Sequence, residues 1–556
     1  MMLFMRSSPR LHAAAGLLFA SLLFLQSNVT GQPPLRQTLD SERTWDLVIY
    51  GGTSAGITCA TTAAGLGHSV VVLCPSGRIG GLSASGLGAT DIGNKRAIGG
   101  KSREFYRRIR AHYEADDAWV HEERSKFRGW RDEDALWYFE PKVAETTFAA
   151  MITEANVPVV LGERIDLEAG CTVEDGRIKA LVAESGRRWR GRVFVDATYE
   201  GDLLAKAGVS YTVGREACDT HGETLNGVQV ARSVKHQFVK NVDPYVKPGD
   251  PESGLLFGIQ KGGPGTDGEG DQRVQAYCFR VCMTDVPNNR VPFAKPSGYD
   301  ESWYELMLRN LEAGDHRIPY SIIRMPNRKS DTNNNFAIST DFIGMSWSWP
   351  EASHAKREEL FAFHKQWQQG LHWTLANHPR SPKKVRDRVA KWGLAKDEFV
   401  ATGNWPHAIY VREGRRMVSS YVMTENDCKA RRRCEDPVGL AAYNMDSHNV
   451  QRYVNADGFV RNEGDVQVPP TKPYPISYRA IVPKRAECKN LFVPVCLSSS
   501  HMAYGSIRME PVFMILGQSA AIAADLAIRG QHDVQDVPYD ELKSRLLAAG
   551  QILSWK

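Results

Sequence analysis

The sequence predicts an α/β protein: a parallel central sheet carrying a small antiparallel meander, with a mixed α/β domain inserted between its two parts. Three observations lead there. Residues 45–74 read as apolar strand, glycine turn, small-residue helix and β-branched strand. From Val157 the pattern changes to short alternating strands with a hairpin signal at Asp175-Gly176. A further apolar strand from Leu491 and a helix rich in small residues close the chain, after a long stretch that lacks a second copy of the opening pattern.

Taken in order, Met1 to about Gly31 carries Arg6 and Arg10, an apolar run from Ala13 to Leu25, and Val29-Thr30-Gly31 where a signal peptidase requires small residues. The apolar run is too short to span a bilayer, so a secretory signal is expected over 1–31, with a linker over 32–44. No cysteine stands near the cleavage point and the arginines are not paired, which argues against a lipid anchor and against twin-arginine export. Removing that segment lowers the formal charge from +5 to +3, because it holds two arginines and no acid. Bulk charge therefore points to neither nucleic acid nor membrane as a partner. With 42% apolar residues in 556, the chain has ample material for two connected domains. All ten cysteines lie beyond the leader, so disulfides are permitted, but no spacing fixes one; the Cys-x-x-Cys-x-x-Cys run of an iron–sulfur site is absent and no metal site is expected.

In the opening unit, Leu47–Tyr50 breaks at Gly51-Gly52, a helix follows from Ala55 to about Leu66, and Val70–Leu73 forms the second strand. Gly51 permits the sharp turn, and Ala55 and Gly56 let the helix lie close to the sheet, so its unpaired N–H groups and positive end face a pyrophosphate. Gly51, Gly52, Ser54, Ala55 and Gly56 are thus the expected cofactor-binding set of a dinucleotide-binding unit, with Thr53 in place of the usual middle glycine. Arg78-Ile79-Gly80-Gly81 comes directly after the second strand. A second glycine pair there lets the backbone approach the ribityl and phosphate part of FAD, which a plain NAD unit does not need.

With Phe194–Asp202, Tyr410–Arg416, Tyr443–Asn449 and Ser498–Ala524, this segment resembles the FAD-dependent oxidoreductases of the glutathione-reductase-like superfamily, and more closely exported bacterial proteins related to the flavin subunit of heterodisulfide reductase. The resemblance implies a Rossmann-like FAD-binding domain over 45–207 and 474–545, an inserted substrate domain over 208–473, and a tail over 546–556. One departure stands out. Such folds place an acidic residue at the end of the second strand to hold the adenosine ribose, and here that residue is Cys74, with Ser76 or Arg78 as substitutes. The competing reading has Arg78 clamping a 2′-phosphate, with NADP as the cofactor.

Helices are expected over Ser102–Glu114 and Pro141–Ala155; Gly99-Gly100-Lys101-Ser102 lacks the rest of a P-loop and reads as a helix start. The resemblance implies that the meander returns to the parallel sheet at a turn that Asp196-Ala197-Thr198 fits, with Asp196 and Thr198 as a second cofactor contact, the alternative being a capped strand-to-helix turn. In the insertion, Asn333-Asn334-Asn335 reads as part of a turn-rich polar stretch able to line a site or to close a loop, and Glu351–His378 as an amphipathic helix with Leu360, Phe363, Trp367 and Leu371 on its apolar stripe. Trp347 and Trp349 alternate as on a strand and are candidates for stacking on a sugar ring.

Arg412 and Arg415 suit bidentate grip on a substrate carboxylate, with structural pairing through Glu413 as the alternative. Toward the C-terminus, Leu491–Cys496 reads as a buried parallel strand, and a helix opens at Glu510-Pro511. By the resemblance that helix, with Gly517 among its small residues, packs under the flavin with its positive end stabilising the reduced ring. His501 and Arg508 precede it, and His501 is the first candidate for moving a proton as hydride moves at N5; His448 is the second. The expected activity is hydride transfer between flavin and a small organic substrate, whether sugar-like polyol, hydroxy acid or unsaturated acid. A rival reading is a secreted polysaccharide-binding or lyase-type protein with a vestigial dinucleotide fold.

Overall fold

The computed structural model describes residues 43–555, so the expected leader and most of the linker lie outside the described residues. The first sheet begins with β1 (Trp45–Tyr50), α1 (Ser54–Gly65) and β2 (Val70–Cys74). After α2 (Gly100–Glu114) and α3 (Pro141–Glu154) come β3 (Val159–Leu161), β4 (Cys171–Glu174), β5 (Arg177–Val182) and β6 (Arg188–Asp196). Their order across the sheet is β3-β2-β1-β6-β5-β4, with Leu491–Phe492 added alongside β6. The nine-residue β6 joins two architectures. Arg188–Arg190 pairs antiparallel with β5, while Gly191–Asp196 pairs parallel with β1.

The parallel strands read as continuous apolar runs because both faces are covered. Leu47, Ile49 and Val72 face a core shared with α1, α2, α3 and the long helix Glu510–Gly530. Their neighbours Val48, Tyr50, Val71 and Leu73 face a second core with Ile178, Leu181 and Trp189 of the meander. The β4–β5 turn has positive φ at both Asp175 and Gly176, the conformation that a two-residue hairpin of native twist requires.

Helix Glu510–Gly530 is long and apolar enough to cross a membrane by length and composition, and its apolar window is wholly buried in the molecule. It lies against α1, and a Cβ on Gly517 would overlap the Ala55 carbonyl.

The second sheet is antiparallel, in the order Tyr320–Met325, Lys329–Asn334, Val281–Thr284, Gly393–Ala395, Arg290–Val291. Its core includes helix His354–Asn377, where Trp367 stacks on Phe342 at 4.1 Å and Leu371 is buried. Two local expectations are corrected here. Asn333 and Asn334 belong to a strand rather than a turn, because the polar residues before them are buried and paired with groups distant in sequence. Trp347 and Trp349 lie in successive turns, not on a strand, and their indole N–H groups donate to Val450 O (3.1 Å) and Glu200 Oε1 (3.3 Å). The last parallel strand is also shorter than expected, Leu491–Phe492 only. All ten cysteines are unbridged.

Candidate active site

A cavity of about 400 Å³ opens at the C-terminal ends of β1 and β2, where open parallel sheets place their ligands. Gly51, Gly52, Thr53, Cys74, Arg78, Gly81 and Thr198 line its sheet side. Gly51 has φ +118°, and a Cβ there would lie 2.6 Å from the Ala197 carbonyl carbon; a Cβ on Gly56 would overlap the Gly51 carbonyl oxygen. Both positions require glycine if α1 is to start this close to the sheet. Thr53 explains its own departure from pattern: as N-cap, its hydroxyl accepts from Gly56 N–H (3.3 Å) and donates to Ala197 O (2.7 Å), tying α1 to the end of β6. Ser54 and Ala55 are buried in the first turn, which carries no acidic residue to compete with an anion. Gly80 N–H donates to Gly52 O (2.8 Å), joining the two glycine pairs. A glycine cradle, an acid-free helix N-terminus and a cavity over both fit a dinucleotide diphosphate.

The remaining cofactor candidates divide. Thr198 lines the cavity, whereas Asp196 does not. The Asp196 carboxylate accepts from Thr198 N–H, Thr198 Oγ1–H and Leu204 N–H, and burial raises its pKa to about 6. It holds the turn, so the capping alternative is the one that describes it. Arg78 lines the cavity but pairs with Glu145 at 2.7 Å, which leaves it no free clamp for a 2′-phosphate. Gly517 lies in the helix–helix contact, so its contribution is close packing of α1 rather than contact with the cofactor.

Segment 407–412 is the wall between this cavity and a second polar centre. His407, Ala408, Ile409 and Val411 line the cavity. Tyr410 and Arg412 belong to the far side. There the guanidiniums of Arg280, Arg412 and Arg508 stand 5.6, 4.7 and 5.8 Å from the centre of the Tyr410 ring. Each has an acidic partner: Asp331 for Arg280 (2.6 Å), Asp341 for Arg412 (2.9 Å) and Asp446 for Arg508 (3.1 Å). Each also keeps one buried nitrogen without a hydrogen-bond partner: Arg280 Nη1, Arg412 Nε and Arg508 Nε. Buried guanidinium N–H groups left unmade are costly, so this centre is incomplete as it stands. It abuts the loop that follows Gly80-Gly81, through Leu82 and Leu87 against Tyr410, Ala89 N–H on Asp331 (3.1 Å) and Tyr443 OH on Asp91 (3.1 Å).

His448 completes the centre, with Nδ1 on Asp341 (2.8 Å) and Nε2 on Asp446 (3.2 Å). Burial and Arg412 pull its pKa down, but the two carboxylates outweigh them and the net shift is upward. His501 is elsewhere. It opens helix His501–Ile507, fully buried, with Nδ1 on Glu413 (2.7 Å) and Nε2 on Ser447 (3.0 Å). Burial, then Arg416 and Arg215, lower its pKa to about 3. With a pKa that low it neither carries a proton to give nor takes one up near neutral pH, so it does not fit the proton-moving role expected from its place in the sequence. Arg415 is likewise redirected: it pairs with Asp202 (2.7 Å) and Glu351 (2.8 Å), apart from Arg412, and is not available for a substrate carboxylate. Glu510, in the first turn of the long helix, accepts from Tyr199 OH (2.8 Å) and Ser83 Oγ (3.1 Å), and burial raises its pKa. The positive end of that helix therefore already has an acid side chain at it. Arg280, Asp331 and Asp341 escaped sequence reasoning, since none sits in a recognisable motif.

The fold and the glycine cradle define a flavin- or nicotinamide-binding α/β protein. The chain belongs to the FAD dependent oxidoreductase family, whose model matches residues 46–546. FAD is its cofactor and oxidation–reduction its chemistry. No curated protein matches it. Among solved structures it is similar to a geranylgeranyl bacteriochlorophyll reductase-like protein from Thermoplasma acidophilum, at 11% identity and TM-score 0.36, covering 92% of this chain and 84% of that one. It is also similar to L-proline dehydrogenase from P. horikoshii, at 15% identity and TM-score 0.22 over 37% of this chain and 62% of that one, and to L-amino acid deaminase from Proteus vulgaris, at 16% identity and TM-score 0.23 over 33% and 63%.

Proposed function

We propose that this protein is an exported FAD-dependent oxidoreductase that exchanges hydride with a small organic acid, and that Arg280, Arg412 and Arg508 receive the acid group. The observation that carries this reading is the set of three buried guanidinium nitrogens without partners, grouped around Tyr410 beside the loop that follows the second glycine pair. A carboxylate supplies the acceptors those donors lack. Gly51, Gly52, Ser54, Ala55, Gly81 and Thr198 would hold FAD, which when bound supplies hydride exchange at N5. His448, whose pKa is raised by Asp341 and Asp446 against burial and Arg412, is the proton donor that would complement hydride delivery, and this favours reduction of an unsaturated acid. The relationship to the heterodisulfide reductase flavin subunit and the secretory leader belong to the same proposal and rest on the sequence motifs and on residues 1–31.

The test is anaerobic flavin oxidation and reduction with the purified holoprotein. Unsaturated and 2-hydroxy acids should react and uncharged polyols should not. Arg412→Met and Arg508→Met should raise the acid concentration needed by about tenfold or more with FAD content unchanged. Reaction with polyols alone would return the arginines to a structural role. Export is checked separately by N-terminal sequencing, which should find a mature start near Gln32.

A further inference from the structure

The strand that ordinarily ends in the ribose-binding acid ends here in Cys74, and neither local substitute is free. Cys74 Sγ donates to Arg78 O (3.2 Å), Ser76 Oγ donates to the same carbonyl (2.6 Å), and the Arg78 guanidinium is on Glu145. No carboxylate lines the β2 side of the cavity. The start of helix His354–Asn377, which belongs to the second core, lines the same cavity. His354, Arg357, Glu358 and Phe361 from its first two turns line the cavity. The helix is fastened there by His354 Nε2 against Ile165 O (2.9 Å), Arg357 on Asp202 (2.6 Å) and Glu358 on Arg164 (2.6 Å).

Three carboxylates line the cavity: Glu200, Asp202 and Glu358. Asp202 is engaged by both Arg357 and Arg415. Glu200 accepts from the Trp349 indole, and burial raises its pKa. Glu358 alone keeps most of its side chain exposed, 62%, with Arg164 beside it. Arg164 in turn sits next to the end of β2, since the N–H of the preceding residue, Glu163, donates to Cys74 O (3.0 Å). Glu358, the exposed carboxylate of the three, thus lines the same cavity as Cys74 from a helix of the second core, ion-paired to Arg164 beside the end of β2 and with a second carboxylate oxygen able to accept.

We infer that Glu358 accepts the adenosine ribose hydroxyls of FAD in place of the missing strand-end acid, with Arg164 orienting it. The cofactor is then held by both halves of the molecule, so that the helix carrying Glu358 is a clamp on FAD as well as part of the second core.

The experiment titrates full-length apoprotein with FAD and with an FAD analogue whose adenosine carries 2′,3′-dideoxyribose, following flavin fluorescence. Hydrogen bonds to a carboxylate predict that wild-type protein binds the analogue about tenfold or more weakly than FAD. Glu358→Gln and Glu358→Ala, on an exposed helical turn where both side chains are tolerated, should weaken FAD binding and bring the two ligands to within about threefold of each other. A wild-type protein that binds both alike, or Glu358 variants that discriminate as well as wild type does, would overturn the assignment.

Discussion

His501 and His448 are both buried, and their surroundings drive them apart. His501 has cationic neighbours in Arg416 and Arg215 beyond its own desolvation, so the native state holds it neutral, with a pKa of about 3. A depressed folded pKa means that its contribution to stability is complete above the unfolded value of about 6.5 and declines as pH falls toward 3, by up to about 1.4 kcal/mol per pH unit. His448 has the opposite sign: its folded pKa is raised, so its contribution is complete below the unfolded value and is lost as pH rises through the folded one. Thermal melts across pH should therefore show the gap between wild type and His501→Gln narrowing in acid, and the gap between wild type and His448→Gln narrowing in base. A gap that does not move with pH for either residue would show that its charge state is not what its neighbours imply. Substrate-driven flavin kinetics should respond more strongly to His448→Gln than to His501→Gln, since only His448 belongs to the arginine centre.

At the scale of elements, the contact between α1 and helix Glu510–Gly530 sets how closely the start of α1 lies against the glycine cradle proposed for the cofactor diphosphate. Gly517 faces the Ala55 carbonyl in the first turn of α1, and Thr58 Oγ1 bonds Met514 O (3.0 Å) in the long helix. A methyl group at 517 forces the helices apart at the first turn of α1, the turn proposed to hold the diphosphate. Gly517→Ala is expected to destabilise the protein by about 1–3 kcal/mol, the range for an overpacked core. It should also lower bound FAD although residue 517 does not touch the cofactor. Denaturant unfolding with a parallel measurement of flavin absorbance checks both, and a full FAD complement in a destabilised variant would separate the packing role from cofactor placement. Gly56→Leu, at the cradle itself, should abolish FAD binding outright.

At the scale of the whole molecule, the two sheets are joined through a buried ammonium. Lys329, on the second sheet, reaches Glu140 at the start of α3 (2.6 Å), Glu398 (2.6 Å) and Asp397 (2.7 Å). Those three carboxylates would form a cation site by their mutual spacing, and Lys329 Nζ occupies it. Lys329→Met leaves two buried carboxylates, Glu140 and Glu398, with only the more distant, exposed Lys142 at 3.5 and 3.9 Å, and breaking such a cluster costs about 3–5 kcal/mol. The expected readout is a lower denaturant midpoint, with partial rescue by acid, which protonates Glu398 first because burial pushes its pKa up while that of Glu140 is lowered. A midpoint within error of wild type would show that the junction is held by apolar packing alone.

The sequence by itself determined the βαβ unit, both glycine pairs, the meander and its hairpin, and through them the family and FAD. Those features are local. A φ of +118° at residue 51, a helix start pressed onto a strand, or a two-residue turn each restricts the residue type within a few positions, so each is legible there. The site chemistry was legible only in part. Arg412, Arg508 and His448 stood in recognisable segments, but whether an arginine faces a substrate or a carboxylate depends on what the fold brings to it. Arg415 meets Asp202 from more than two hundred positions away, Arg280 meets Asp331, and Glu358 lines the same cavity as Cys74 from a helix of the second core. Buried charges must be paired, and the pairing is settled by tertiary packing, because no local backbone rule carries information about partners so distant in the chain.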